Sequence, residues 1–347
     1  MSWFDGFETR RFDVNGVEIL ARVPTSVRGT RPALLLLHGF PQSHVMWHRV
    51  AQQLQQDYWI VMPDLRGYGD SSQPAGLPDH SSYSKRAMAQ DMVDVMDLMG
   101  APHFFLCGHD RGGRVAHRLA LDHPEKVAKL CVIDIAPTLD MYNATDMAFA
   151  RAYYHWFHLI QPWPLPERMI GGNPKDYLHS KLGGWGSAGL GYIEPQALAE
   201  YERCFCTPEA IHSACEDYRA SAGIDLEHDR DSRARHQRIP CDLLVLWGER
   251  GVVNKLFQPL ALWQAQCSAT VTGQASTRSS CSPPGPVKRS FSGGASSVVT
   301  SAGARNTWYS SSSSGPPDHC TRRSSSACPG RRVRGRDAMS STSPGGT

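Results

Sequence analysis

Gly108-His109-Asp110-Arg111-Gly112 follows directly on the run His103-Phe104-Phe105-Leu106-Cys107 and opens a helical stretch, Arg114 to Leu121. A strand, a sharp turn and a helix in that order lift the central side chain of the turn out of a sheet. Glycine on either side permits a tight reversal of the chain. The side chain lifted here is a carboxylate, Asp110, where esterases place a serine. A carboxylate held in that way can attack carbon, forming an ester that water later opens. This stretch therefore predicts an α/β sheet with a nucleophile at its edge.

The rest of the chain is long enough to support that reading. Its 347 residues, 41% hydrophobic, suffice for one large domain with an insertion. The net charge of +3 is unevenly spread. Residues 276–347 hold ten Lys or Arg against two Asp or Glu, a surplus of eight positive charges, which leaves residues 1–275 at −5. A body of that sign gives no reason to expect nucleic acid as a partner. Met1–Arg11 is too polar for a secretory leader, and the longest apolar run, Ala33–Leu37, is too short to span a bilayer. Ten cysteines without a Cys-x-x-Cys pair read as free thiols, and the expected location is cytoplasmic.

Four short apolar segments, Ala33–Leu37, Trp59–Met62, Phe104–Cys107 and Leu130–Ile135, read as buried parallel strands, and Leu243–Trp247 as a fifth. Helical stretches such as Ser84–Met99 separate them. Ligands of an open α/β sheet bind beyond the carboxyl ends of its strands. His38, Asp64, Asp110, Asp134 and Glu249 stand at those ends. The segment from about Thr138 to Glu216 is rich in aromatic residues and broken by Pro162, Pro164 and Pro166. It is expected to form a helical cap inserted over the sheet. The expected division is thus core at 1–137, cap at 138–216, core again at 217–275, and a tail at 276–347. Half of the tail is Ser, Gly or Pro, and it contains neither Leu nor Ile, a composition that cannot offset its ordering entropy.

The loop His38-Gly39-Phe40-Pro41 is expected to face Asp110. The backbone N–H of Phe40, with that of Arg111, is the candidate oxyanion hole. His44 and His48 lie four apart, the spacing of a helical metal pair, but no third ligand accompanies them, and packed or exposed histidines are the expectation. No metal or cofactor is expected.

Longer motifs make the reading specific. The chain resembles α/β-hydrolases, and within them the haloacetate (fluoroacetate) dehalogenases. The resemblance is carried by His38-Gly39-Phe40-Pro41-Gln42, Asp64-Leu65-Arg66-Gly67-Tyr68-Gly69-Asp70-Ser71 and Gly108-His109-Asp110-Arg111-Gly112-Gly113-Arg114. Further shared residues are Asp134-Ile135, His155-Trp156, Asp217-Tyr218-Arg219-Ala220 and Ile224-Asp225. It implies an α/β-hydrolase fold, a mostly parallel sheet with an inserted helical cap. It also implies hydrolysis of a short 2-haloacid to the hydroxyacid and halide, with Asp110 as nucleophile and Asp134 as the acid of the hydrolytic step. Glu249 is the weaker alternative for that acid. Arg111 and Arg114 are the expected carboxylate clamp, gripping through two parallel hydrogen bonds. His155, Trp156 and Tyr218 match the halide-binding positions. The expected partner is a small-molecule substrate, with no nucleic acid, no membrane, and a homodimer as the candidate assembly.

One part departs from the family pattern. The family's catalytic histidine comes last, in a Gly-His-Phe-like loop. Here Val271-Thr272-Gly273-Gln274-Ala275 leads towards such a loop, and Ser276-Thr277-Arg278-Ser279-Ser280 replaces it. His319, in Pro317-Asp318-His319-Cys320, is a poor candidate base. A shifted reading frame near residue 275 is the expected cause, and turnover is expected to fail after ester formation. Two alternatives stand beside this reading. An epoxide hydrolase shares the Asp nucleophile and uses two cap tyrosines, for which Tyr153, Tyr154 and Tyr218 are available; Arg111 in place of the usual Trp argues against it. The other is a catalytically dead homologue that binds a small carboxylate.

Overall fold

The computed structural model describes residues 3–183 and 189–276, and the tail from residue 277, with His319 and the expected frame change, lies outside them. Eight strands form one sheet: β1 (Phe7–Val14), β2 (Val17–Pro24), β3 (Ala33–Leu37), β4 (Trp59–Pro63), β5 (Phe104–His109), β6 (Val127–Ile133), β7 (Asp242–Gly248) and β8 (Val271–Ser276). Their order is β1-β2-β4-β3-β5-β6-β7-β8. β1 and β2 pair antiparallel to each other, β2 to β4 likewise, and every pairing from β4 to β8 is parallel. The five apolar segments read from sequence are β3 to β7. The fourth of them stops at Ile133, two residues early, because Asp134 adopts φ +53 and leaves the ladder.

Ala33–Leu37 is buried at every position, as befits a strand covered on both faces. In β5, between β3 and β6, Phe105 and Cys107 are half-buried between buried neighbours. β1 and β2 form a hairpin closed by Asn15 and Gly16, both at positive φ, which matches the twist of the flanking strands.

Helices α1 (His48–Leu54), α2 (Lys85–Leu98) and α3 (Arg111–Asp122) belong to the first part of the core. Among the described residues the segment after β6 carries helices and no strand before β7: α4 (Thr138–Asn143), α5 (Met147–Ala152), α6 (Tyr154–Leu159), α7 (Leu165–Gly171), α8 (Pro174–Gly183), α9 (Pro195–Phe205) and α10 (Pro208–Ala222). α10 runs unbroken through the boundary expected after Glu216. Thr207 caps its start, accepting from the Ala210 N–H, and Pro208 supplies the fixed φ of the first turn. α11 (Ile224–Ala234), α12 (Val252–Leu256) and α13 (Pro259–Gln266) complete the described chain. No helix among the described residues is long and apolar enough to cross a membrane.

This order positions the site. β3 is followed in sequence by β4 on one side of it, while β5 lies on its other side. The loops after β3 and β5 therefore leave the sheet in divergent directions and open a crevice, the usual binding point of such sheets. Phe40 and Asp110 sit on those two loops.

Candidate active site

Asp110 links β5 to α3 with φ +47 and ψ −115, a conformation that costs a non-glycine residue on the order of 1–3 kcal/mol. The turn is thus carried by the aspartate itself, not by its flanking glycines. The glycines serve by close approach instead. A Cβ on Gly112 would lie 2.3 Å from the His38 carbonyl oxygen, and the Gly112 N–H donates to that oxygen at 2.9 Å. These contacts press the start of α3 against the end of β3. The result is that the Phe40 N–H donates to Asp110 Oδ1 at 2.9 Å.

A buried carboxylate holds the loops in place. Asp64 Oδ1 accepts from the His44 N–H at 2.7 Å and lies 2.9 Å from His44 Nδ1, while Oδ2 accepts from the Asp70 N–H. Burial opposes its ionisation, but the His44 contacts outweigh that and hold its pKa at about 2. His38 Nε2 accepts from the Leu65 N–H at 3.0 Å. His44 is therefore a partner of Asp64, and His48 bonds the Val45 carbonyl and stacks on Trp3.

The cap brings an aromatic box over Asp110. The Phe40 ring lies 6.0 Å from His155 and 5.3 Å from Tyr218, and His155 and Tyr218 are 5.7 Å apart. Trp156 and Tyr218 are fully enclosed, at 1% and 0% exposure. Neither Trp156 Nε1 nor Tyr218 Oη has a hydrogen-bond partner among the described residues. Burial raises the Tyr218 phenol well above its ordinary range, and the Asp110 charge adds to that, so Tyr218 keeps its proton. Burial, with the positive charge of Lys181 next, keeps the His155 ring neutral.

Both arginines of the expected clamp are buried beside this box. The expectation of a two-pronged grip by one guanidinium is corrected. Arg111 spends its fork on Asp217: Nε donates to Oδ2 at 2.8 Å, Nη2 to Oδ1 at 2.6 Å, and Nη2 also reaches Ser221 Oγ at 3.0 Å. Arg114 Nη1 donates to Thr138 Oγ1 at 2.9 Å, and its guanidinium carbon stands 4.6 Å from the Trp156 ring centroid. What remains without a partner is Arg111 Nη1 and Arg114 Nε, one nitrogen on each. Any carboxylate gripped here must be bridged between two side chains.

Asp134 stands at the end of β6 with Oδ1 accepting from the Gly248 N–H at 3.3 Å. Burial pushes its pKa up to about 7, against the Gly248 bond and with help from the Asp110 charge. Glu249 is exposed, whereas Asp134 feels the Asp110 charge. Among the described residues no histidine nitrogen bonds Asp134. The sequence reading quoted Asp217 among the residues shared with the family and gave it no role. Asp70, Glu200 and Cys204 also converge at the surface, where Arg203 donates to Asp70 at 2.7 Å and to Glu200 at 2.6 Å.

Residues 32–163 match the alpha/beta hydrolase fold family. The chain is 47% identical, over 75% of its length and 84% of the relative's, to fluoroacetate dehalogenase from Burkholderia sp.. The chain is a haloacetate dehalogenase-like α/β-hydrolase. It is 31% identical to soluble epoxide hydrolase from Corynebacterium sp. (strain C12), over 58% of this chain and 69% of that one. Among solved structures, ALR0039 from Nostoc sp PCC 7120 superposes with a TM-score of 0.74 at 52% identity, covering 78% of this chain and 91% of that one.

Proposed function

We propose that this hydrolase displaces halide from a short 2-haloacid, such as a haloacetate, by attack of Asp110 on the halogen-bearing carbon. One observation carries the reading. Two buried donors without partners among the described residues, Trp156 Nε1 and Tyr218 Oη, belong to rings 6.4 Å apart, and Arg114 and Arg111, which each keep one nitrogen unused, stand 4.6 and 4.2 Å from those rings. Nitrogens of Arg111 and Arg114 bridge the substrate carboxylate, which offsets repulsion between two anions and aligns the carbon for in-line attack. Fluoride leaves reluctantly, and Trp156, Tyr218 and His155 place donors where its charge develops. The Phe40 N–H, with that of Arg111, serves the tetrahedral stage of ester hydrolysis. Asp134 is the acid that would orient a histidine base.

That base is absent from the described residues, so the ester on Asp110 persists after one halide has left. The test is intact-protein mass spectrometry after incubation with chloroacetate or fluoroacetate, with free halide counted in the same tube. A stable carboxymethyl ester mapped to Asp110, with about one halide per chain, is the expected result. Many halides per chain would show that a base operates. A folded chain yielding neither adduct nor halide would leave the carboxylate-binding homologue as the reading.

A second reading, epoxide opening, draws on the tyrosines. The Asp110 charge reaches both the Tyr153 and the Tyr218 phenols, which burial keeps protonated, whereas Tyr154 is 47% exposed and lies under Lys181. Two buried cations beside the nucleophile favour an anionic substrate instead. Adduct formation from styrene oxide and none from chloroacetate would reverse that preference. The seven unpaired cysteines of the described residues fit the cytoplasmic setting we propose.

A further inference from the structure

Arg111 is oriented by a residue of the cap-side helix α10, not by its own loop. Asp217 takes two of its nitrogens, Nε and Nη2, through both carboxylate oxygens, and Nη2 also donates to the Asp217 carbonyl at 2.9 Å. The guanidinium is further fixed over the Tyr218 ring, with its carbon 4.2 Å from the centroid. Asp217 is itself held from the core. Tyr68 Oη donates to Oδ2 at 2.5 Å, and Lys85, at the start of α2, makes an ion pair with Oδ1. Lys85 also lies 3.6 Å from Asp225, whose Oδ1 accepts from the Lys85 N–H. All of Tyr68, Lys85, Arg111, Asp217 and Asp225 are at least 95% buried. Two cations and two carboxylates balance, so the cluster is enclosed without net charge, the condition under which buried ions are tolerated.

We propose that Asp217 is the positioning residue that makes Arg111 a reader of anionic substrates, by leaving Nη1 as the one guanidinium nitrogen turned to the site. The proposal rests on the haloacid reading above. A guanidinium freed from Asp217 swings on its side-chain torsions and no longer presents Nη1 at one fixed point to a substrate carboxylate. The same residue joins the cap to the elbow, since Asp217 and Tyr218 are consecutive. The carboxylate grip and the halide donor are set by one turn of helix.

The experiment compares ester formation at the Asp110 peptide from chloroacetate and from its neutral isostere chloroacetamide, in the full chain and in two variants. One is Asp217→Asn. The other is Lys85→Met with Asp217→Asn, which keeps the buried cluster neutral and guards against misfolding of the first. The parent chain is expected to favour chloroacetate at least tenfold, and both variants to lose most of that preference, with chloroacetamide rates within about threefold of the parent. An equal fall for both reagents in folded variants would reduce Asp217 to a structural residue and overturn the proposal, as would a preference that survives. A parent chain that esterifies Asp110 with neither reagent would overturn the haloacid reading itself. Equal parent rates with both would spare the nucleophile and overturn the role of Arg111.

Discussion

Replacing Asp134 by asparagine should make the protein less sensitive to pH. Burial raises the Asp134 carboxyl from an ordinary value of 3.8 to about 7 in the fold. Between those values the folded state holds a proton that the unfolded chain has released, so stability falls as pH rises. At 1.36 kcal/mol per pH unit, the loss accumulated by pH 8 is on the order of 4 kcal/mol. An asparagine side chain cannot ionise, can still accept from the Gly248 N–H, and tolerates the φ of +53 better than most residues. The variant's lead over the parent should therefore widen by about 3 kcal/mol between pH 5 and pH 8. Urea unfolding followed by tryptophan fluorescence at pH 5, 6, 7 and 8 reads this directly. With a slope of about 3 kcal/mol per M, the gap between the midpoints should widen by about 1 M over that range. Asp225, raised by burial to about 6, titrates in the same range but is common to both proteins and cancels in the difference. A difference that stays flat from pH 5 to 8, or that shifts in the parent's favour over that range, would refute the claim that Asp134 is held protonated by its surroundings.

Other perturbations follow from the same geometry. Asp110→Asn should abolish the haloacetate adduct in intact mass spectra while leaving the urea midpoint unchanged or raised, since it keeps the side-chain volume and the acceptor for the Phe40 N–H and removes a half-buried charge. Trp156→Phe keeps an aromatic ring and deletes Nε1–H, and should slow Asp110 esterification by fluoroacetate about tenfold and by chloroacetate only a few-fold, measured by adduct formation over time. Gly69 has φ +56, and a Cβ there would lie 2.1 Å from the Asp64 carboxylate; Gly69→Ala should cost at least about 2 kcal/mol in urea unfolding.

β3 to β7 were legible because each is short and apolar, and a buried strand needs no neighbour to announce itself, whereas β8, parallel to β7 but largely exposed, was not read as a strand. The elbow was legible because its chemistry is local, a single residue between a strand and a helix. The hairpin of β1 and β2 carried a readable signal in Asn15-Gly16 that the sequence reading passed over. The state of the arginines was not legible at all. Arg111 and Asp217 are 106 positions apart, and only the closing of α10 against the elbow turns an expected two-pronged clamp into a single free nitrogen. The spacing of His44 and His48 is equally silent about their partners, since what decides the first of them is Asp64, at the end of the next strand.

The two halves of the proposed reaction draw on different parts of the chain. Ester formation needs a nucleophile, a grip on the carboxylate and donors for the halide, and β5, α3, α6 and α10 supply all of them within the described residues. Ester hydrolysis needs a base, and the histidines nearest Asp110 are poorly suited to act as one. His38 already uses Nε2 to accept from the Leu65 N–H. Burial lowers His109 to about 4, and an imidazole that acidic takes a proton from water far less readily than one near 7. His155 is held neutral by burial and by Lys181, and an imidazole repelled by a neighbouring cation is a donor to halide before it is an acceptor from water. Asp134 is tuned in the opposite direction. A half-buried carboxyl at about 7, bonded among the described residues to the Gly248 N–H alone, is one whose ionised form an adjacent imidazolium would stabilise. The two steps are therefore physically separate, and the single halide expected per chain follows from the positions of these four side chains.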